Sequence, residues 1–277
     1  MINNLGFMQG RLSPIYKNLI QSFPYSNWQN EFKIAQKMQF SHIEWTVDQF
    51  LIDMNPIAYG EGMKKINEVK KKYKIKIINL TADFVMQAPF FKEDKIISNF
   101  LRLQLIKIIK NASKIGVKNF VIPLVDNSRL DNINQRKEVV FFFRGISKFL
   151  NQNKIRIAFE TDMKIKDNML FLDNLKENCF GMNYDMGNSA SLGYKFAKEI
   201  NTYSDKIFNV HIKDRKKNGG TVKLGYGDVN FHEVFNSLVR NNYNGNFTLQ
   251  MARSKSKDHI KTLKYSQNFI KSFLNVS

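Results

Sequence analysis

Eight short apolar, β-rich runs, separated by longer stretches of helical periodicity, set the tightest limit on how this chain folds. The runs are Leu5–Leu12, His42–Val47, Lys76–Asp83, Asn119–Val125, Arg156–Thr161, Gly181–Met186, Phe208–Lys213 and Phe247–Arg253. Several are nearly continuous apolar segments, the pattern of strands covered on both faces. Regular alternation of strand and helix predicts βα units and a parallel sheet. Eight units closed into a barrel need about 250 residues, so 277 residues leave no remainder for a second domain. The expectation is an α/β chain folded as one closed (β/α)₈ barrel across residues 1–277.

The connecting segments agree with this. Between the third and fourth runs, Leu101, Leu105, Ile108, Ile109, Ala112 and Ile115 share one helical stripe, the face that packs on a barrel wall. Gly116 follows as the helix-ending glycine. The run VVFFFRGISKFL (139–150) is apolar on several sides, and its Phe141, Phe142 and Phe143 are expected in the core. The five prolines are scattered and no Pro/Gly/Ser-rich linker divides the chain.

Composition narrows the setting. The single cysteine, Cys179, forbids an internal disulfide, which suits a reducing cytoplasm. The start MINNLGFMQGRL lacks the cationic and apolar regions of a signal peptide. No apolar stretch reaches the ~18 residues of a membrane span. Cytoplasmic location without membrane association is therefore expected. The formal net charge of +19 would suit an acidic partner, but the lysines lie mostly on helical faces such as KKINEVKKKYKIK (64–76), where a solvated surface explains them.

Chemistry in such a barrel sits at the C-terminal strand ends. The polar residues there are Gln9 and Arg11, Glu44, Thr81 and Asp83, Asp126, Glu160 and Asp162, Asp185 and Asn188, His211, Lys213, Asp214 and Arg215, and Gln250 and Arg253. A charge at an interior strand position is costly unless it is paired or binds a metal. Glu160 (RIAFETD), Asp185 (NYDMGN) and His211 (NVHIKDR) are oxygen and nitrogen donors of the kind that hold one divalent ion, Mn²⁺, Mg²⁺, Co²⁺ or Zn²⁺. Gln250 (FTLQMAR) offers a neutral amide oxygen as a fourth donor. Lys213, Arg215, Arg11 and Arg253 form a cationic rim for a phosphate or carboxylate, or else pair with Asp214, Asp126 and Asp83. The segment KLGYGDVNF has neither GxxxxGK[ST] nor GxGxxG, which excludes phosphate-loop and dinucleotide readings. His42, His232 and His259 lack metal-ligand spacing and read as structural or surface residues.

At these residues the chain resembles the xylose isomerase-like TIM barrel superfamily of sugar-phosphate isomerases and epimerases. The resemblance runs through GFMQGRLSP (6–14), HIEW (42–45), FETD (159–162), YDMGN (184–188), HIKD (211–214) and LGYGDVNF (224–231). It implies a metal held by Glu160, Asp185, His211 and position 250; the candidate substrate-binding residues beside it are Arg11, Glu44, Asn188, Asp214, Arg215 and Arg253. It also implies that the 224–231 segment folds near the metal. Trp28, Phe7, Trp45 and Phe84 then either wall a pocket against a sugar's apolar face or pack in the core. The chain departs from the family at Gln250, where Glu is usual, and at Asn188, where several epimerases have His.

The function expected is metal-dependent isomerisation or epimerisation of a sugar, sugar phosphate or related polyol through an enediolate. Glu160 and Lys213 are the candidate catalytic residues. An amide at 250 cannot act as a base near neutral pH, so Glu160 moving a proton along one face is favoured over a symmetric two-glutamate inversion. Lys213, Glu44 or Asp83 are the alternatives for a second proton. A lyase or dehydratase on a carbocyclic polyol and a non-catalytic sugar-binding relative stay open. An endonuclease IV-like activity is disfavoured, because the chain has four histidines and such enzymes use a multi-metal cluster. No nucleic-acid partner is expected, and a homo-oligomer is left open.

Overall fold

The structure, a computed structural model, describes residues 4–14, 21–254 and 258–274. Among the described residues there are ten strands: β1 Leu5–Met8, β2 His42–Thr46, β3 Asn79–Thr81, β4 Asn119–Leu124, β5 Arg156–Thr161, β6 Phe180–Asp185, β7 Ile207–Ile212, β8 Asp214–Arg215, β9 Thr221–Val222 and β10 Asn246–Leu249. Eight of them close into a barrel in the order β1-β10-β7-β6-β5-β4-β3-β2, with every neighbouring pair parallel. Helices cross between successive barrel strands, as the alternating pattern requires. The remaining two, β8 and β9, make a small antiparallel ribbon just past β7.

The apolar stripe between β3 and β4 is the buried face of the helix Lys95–Lys114, which Asp94 caps by accepting from the N–H groups of Ile96 and Ile97. Gly116 ends the segment at φ +91°, a left-handed conformation open to glycine. Of the three phenylalanines expected in the core, Phe142 and Phe143 are buried, whereas Phe141 is 76% exposed. Three successive positions cannot all face inward on one helix. Trp28 and Trp45 meet edge to face at 5.5 Å, and Phe7 packs on Phe40. With Phe84 they belong to the core.

Strand ends differ from the expected ones where loops take over. The first run stops at Met8, because Gly10 adopts φ +86° and its N–H turns to the carboxylate of Glu31. The third shrinks to Asn79–Thr81: Lys76 makes only an isolated bridge to His42, and Asp83 opens the short helix Asp83–Gln87. The last ends at Leu249, after which only the Gln250 N–H keeps a ladder bond, to the Ile212 carbonyl at 2.9 Å. Between β6 and β7 the register shifts at Met182/Asn183. Such an irregularity re-aims side chains, and beyond it Asn183 lies opposite Asn209 and Asp185 opposite His211.

Candidate metal centre at the strand ends

Glu160 near the end of β5, Asp185 at the end of β6 and His211 near the end of β7 converge at the barrel mouth. All three are buried, and one ligand atom from each lies within 4.8 Å of the other two. Two carboxylates and an imidazole at that spacing suit one divalent ion.

The imidazole is oriented from behind. His211 Nε2 donates to Glu44 Oε1 across the barrel at 2.7 Å, leaving Nδ1 3.2 Å from Glu160 Oε2. Glu44 is itself saturated by the hydroxyls of Thr81 and Thr248 and by the Asn209 amide. A ligating histidine that gives its other N–H to a carboxylate is fixed in tautomer and angle. Burial alone would lower the His211 pKa, but the charges of Glu44 and Glu160 outweigh it and push it up to about 10. The space between Nδ1 and Glu160 thus favours a positive charge, which a proton or a metal ion supplies.

Glu160 is held on both oxygens. Its Oε2 accepts from Asn183 at 2.8 Å and its Oε1 from Asn188 at 2.7 Å. Burial works against its charge, yet His211, Lys213 and Asn183 keep its pKa below the ordinary value. Asp185 caps the helix Met186–Leu192, with Oδ1 accepting from the Asn188 N–H, and its Oδ2 meets Lys213 Nζ at 3.0 Å. Burial and the neighbouring Glu160 raise the Asp185 pKa against the pull of Lys213. Asn188 is the junction of this side, because its Oδ1 accepts from both Lys213 and Arg215. Gln250 reaches Met8 Sδ through its amide nitrogen, while its buried Oε1 has no partner among the described residues. An orphaned amide oxygen is a donor that a hard cation can use.

A chain of amides, not anticipated from the sequence, leads up the barrel interior to this centre. Arg156 at the start of β5 donates to Asn119 Oδ1, Asn119 to Asn79 Oδ1, Asn79 to Asn209 Oδ1, Asn209 to Asn183 Oδ1, and Asn183 to Glu160. Every bond points the same way, from the guanidinium to the carboxylate. The available signal was asparagine recurring inside strands, where it is disfavoured.

Other expected site residues serve the loops. The Asp214 carboxylate accepts from the N–H groups of Gly225, Gly227 and Val229, which folds the glycine-rich segment against β8. Arg253 donates to the carbonyls of Gly10 and Ser13. Arg215 spends Nε and Nη2 on the Gly219 carbonyl. Arg11 is buried among Arg253, Asp83 and Glu31, and burial with the nearby Arg253 lowers its pKa to about 9. Asp83 is buried too, and burial with the charges of Asp48 and Glu160 pushes its pKa well above the carboxylate range. Outside the centre, His42 is buried against Ser41 and Thr248, and His232 stacks edge-on against Phe273.

Comparison with known proteins agrees with the fold. SgbU of Escherichia coli (strain K12), provisionally named an L-ribulose-5-phosphate 3-epimerase, is 20% identical over 260 residues, 88% of this chain and 90% of that protein. The structure of D-psicose 3-epimerase with D-tagatose from Clostridium cellulolyticum H10 superposes with a TM-score of 0.76 at 12% identity, covering 98% of this chain and 99% of that one. The IolI protein with a bound zinc atom gives 0.75 at 15% identity, covering 96% of each chain. The sequence model of the xylose isomerase-like TIM barrel family matches residues 32–273, and the chain belongs to that family.

Proposed function

We propose that the chain is a divalent-metal-dependent epimerase or isomerase of a sugar or related polyol. The observation that carries this reading is the buried Glu160–Asp185–His211 cluster with Glu44 fixing His211 from behind. The sugar epimerases among the similar proteins, and the zinc in IolI, support it. Glu160, Asp185 and His211 would hold the ion, with the Gln250 amide oxygen as fourth donor. A bound divalent ion there would polarise a ketose carbonyl and template the enediolate.

The protein's own groups divide the remaining work. Glu160 takes the proton from the substrate carbon, and Asn183 and Asn188 fix its carboxylate so that little reorganisation accompanies the transfer. Lys213, tied to Asp185 and Asn188, keeps positive charge beside the developing oxyanion. Gln250 cannot return a proton on the opposite face, so transfer along one face by Glu160 is the preferred route. Glu44 and Asp214, expected among the substrate contacts, have their oxygens filled by protein donors. We assign Glu44 to His211 and Asp214 to the 224–229 loop. Arg253 likewise secures the loop after β1.

The test joins metal analysis to isotope exchange. His211→Ala should lose the bound metal that the wild type retains through dialysis. Glu160→Gln should lower solvent-deuterium exchange into a ketose by roughly 100-fold or more. Full metal content in His211→Ala, or wild-type exchange in Glu160→Gln, would sink the respective role.

A further inference from the structure

The helix Lys95–Lys114 is apolar on two opposite sides. Leu101, Leu105, Ile108, Ile109 and Ala112 form its buried stripe against the barrel wall. Ile96, Phe100 and Leu103, spaced i, i+4 and i+7, form a second row on the outward side, and each is more than half exposed. A surface helix normally turns polar residues to solvent, and one that is apolar all round is buried. The helix Ile133–Gly145 adds Ile133 and Phe141, which are also more than half exposed. Arg102 and Glu138 tie the two helices together at 2.5 Å, and the Arg102 guanidinium lies over the Phe142 ring. Five large apolar side chains thus share one region of the barrel's outer wall. Exposed apolar patches of this kind mark interaction surfaces.

The charges around the patch are sorted by sign along the helix, and this selects the partner. Its start carries the exposed acids Glu93, Asp94 and Asp131, which outnumber Lys92 and Lys95, and Lys92 is already paired with Asp131. Beyond Leu103 the outward side continues with Lys107, Lys110 and Lys114, and that half of the helix has no acid. A uniformly anionic surface, such as a layer of lipid headgroups or a nucleic acid, would attract the lysine end and repel the other. A second copy turned end for end brings unlike charges together at both ends. Two-fold interfaces are self-complementary in this way. Glu93 and Lys107 stand seven positions before and after Phe100. Pairing the two rows antiparallel about Phe100 therefore sets each Glu93 opposite Lys107 of the other copy and packs Ile96 against Leu103.

We propose that this face binds a second copy of the chain, as an antiparallel two-fold dimer centred on Phe100 with Ile133 and Phe141 at its flank. The proposal is independent of the reaction at the barrel mouth.

Sedimentation velocity on the full chain tests it. The salt is held at about 0.15 M, where charges more than about 8 Å apart are screened and the repulsion between two +19 chains is weakened. The wild type should sediment as a dimer at micromolar concentration. Phe100→Asp and Phe141→Asp should each weaken association at least about tenfold, with urea midpoints unchanged because both side chains are exposed. The same change at the exposed Ile260, on another helix, should have no effect. Lys107→Glu alone and Glu93→Lys alone should each weaken the dimer about three- to tenfold, because each places like charges together twice across the axis. Both changes in one chain should restore it. A wild type that stays monomeric, a dimer that survives both Asp variants, or a double variant no tighter than the single ones would overturn the inference. So would a monomer that binds phosphatidylserine vesicles and loses them in Phe100→Asp, which would make the patch a lipid-binding face.

Discussion

The arc of the mouth from β5 to β7 and the arc from β10 through β1 to β3 handle buried polarity in opposite ways. On the first, the side chains of Glu160, Asn183, Asp185, Asn188, His211 and Lys213 all meet protein partners, and Glu44 on β2 joins them by reaching across to His211. On the second, Gln9, Thr46, Asp83 and Gln250 are left with unmet atoms. A closed network in a low-dielectric interior is rigid and costly to break. An open one lowers stability until a ligand completes it, the usual trade between stability and activity. The first arc is therefore the rigid side, and under the proposed function it is the side that would seat the ion.

The largest effect that would break this comparison is expected from carboxylate-to-amide changes made one on each arc. Glu44→Gln keeps one acceptor oxygen and turns an NH₂ toward groups that donate, namely the His211 Nε2–H, the Thr81 and Thr248 hydroxyls and the Asn209 amide. Breaking a buried charged network in this way costs about 3–5 kcal/mol, and losing the partner of a ligating histidine costs about 10- to 100-fold in metal affinity. Asp83→Asn removes a buried carboxylate with an unmet oxygen, so its stability should equal or exceed that of the wild type. Urea midpoints with Mn²⁺ titrations decide between them. Losses of equal size in the two variants would show that the arcs do not differ.

Much of this was legible in the sequence. The eight strands could be found because parallel strands buried on both faces are apolar throughout, and the Glu160, Asp185 and His211 donors stood out as ionisable groups at their ends. Strand ends were overrun because flanking residues, Ile77 before β3 and Ala82 and Met251 after β3 and β10, are apolar and buried like the strands themselves. The amide chain was hidden because asparagine is common throughout this chain, and nothing in Asn79 or Asn209 alone marks it as interior. Asp214 and Arg253 have the residue types of substrate ligands, and only their hydrogen bonds show that they serve loops. Glu31 reads as an ordinary acid in the first turn of the helix Trp28–Lys37, yet it anchors the loop after β1.

Glu31 supplies a pH-dependent probe of the second arc. It accepts from the N–H groups of Gly10 and Leu12 and from the Ser13 hydroxyl. Burial nevertheless dominates and raises its pKa from the ordinary 4.5 to about 7. The folded state therefore holds the proton more tightly than the unfolded chain, and the stabilisation is full below about pH 4.5 and is lost as the pH rises to 7. The loss over that window is up to about 3 kcal/mol. Glu31→Gln retains an acceptor oxygen and cannot titrate. Subtracting its unfolding free energy from that of the wild type at pH 5 and at pH 8 cancels the other groups. A difference that stays constant between the two pH values would place the Glu31 pKa near its ordinary value.

The smallest effect expected concerns how far the completeness of the first arc depends on the amide chain below it. Asn209 sits at the branch, accepting from Asn79 and donating to both Asn183 and Glu44. Replacing it with alanine leaves the Asn79 amide only its 3.5 Å contact to the Thr248 hydroxyl and leaves Asn183 Oδ1 and Glu44 Oε2 each short of one donor. Each unmet buried group costs about 1–3 kcal/mol when nothing relaxes. Glu44 Oε2 keeps the Thr248 hydroxyl, however, and the space left by the side chain is large enough and polar enough to admit water. The net loss should therefore be close to that of a single bond, about 1–2 kcal/mol. If the chain acts as one unit, Asn209→Ala and Asn183→Ala will be non-additive, because the second change removes a partner that the first has already stranded. A double-mutant cycle on unfolding free energy measures this. A coupling energy near zero would mean that the amides act as separate pairs and that the orientation of Glu160 is set locally by Asn183 and Asn188 alone.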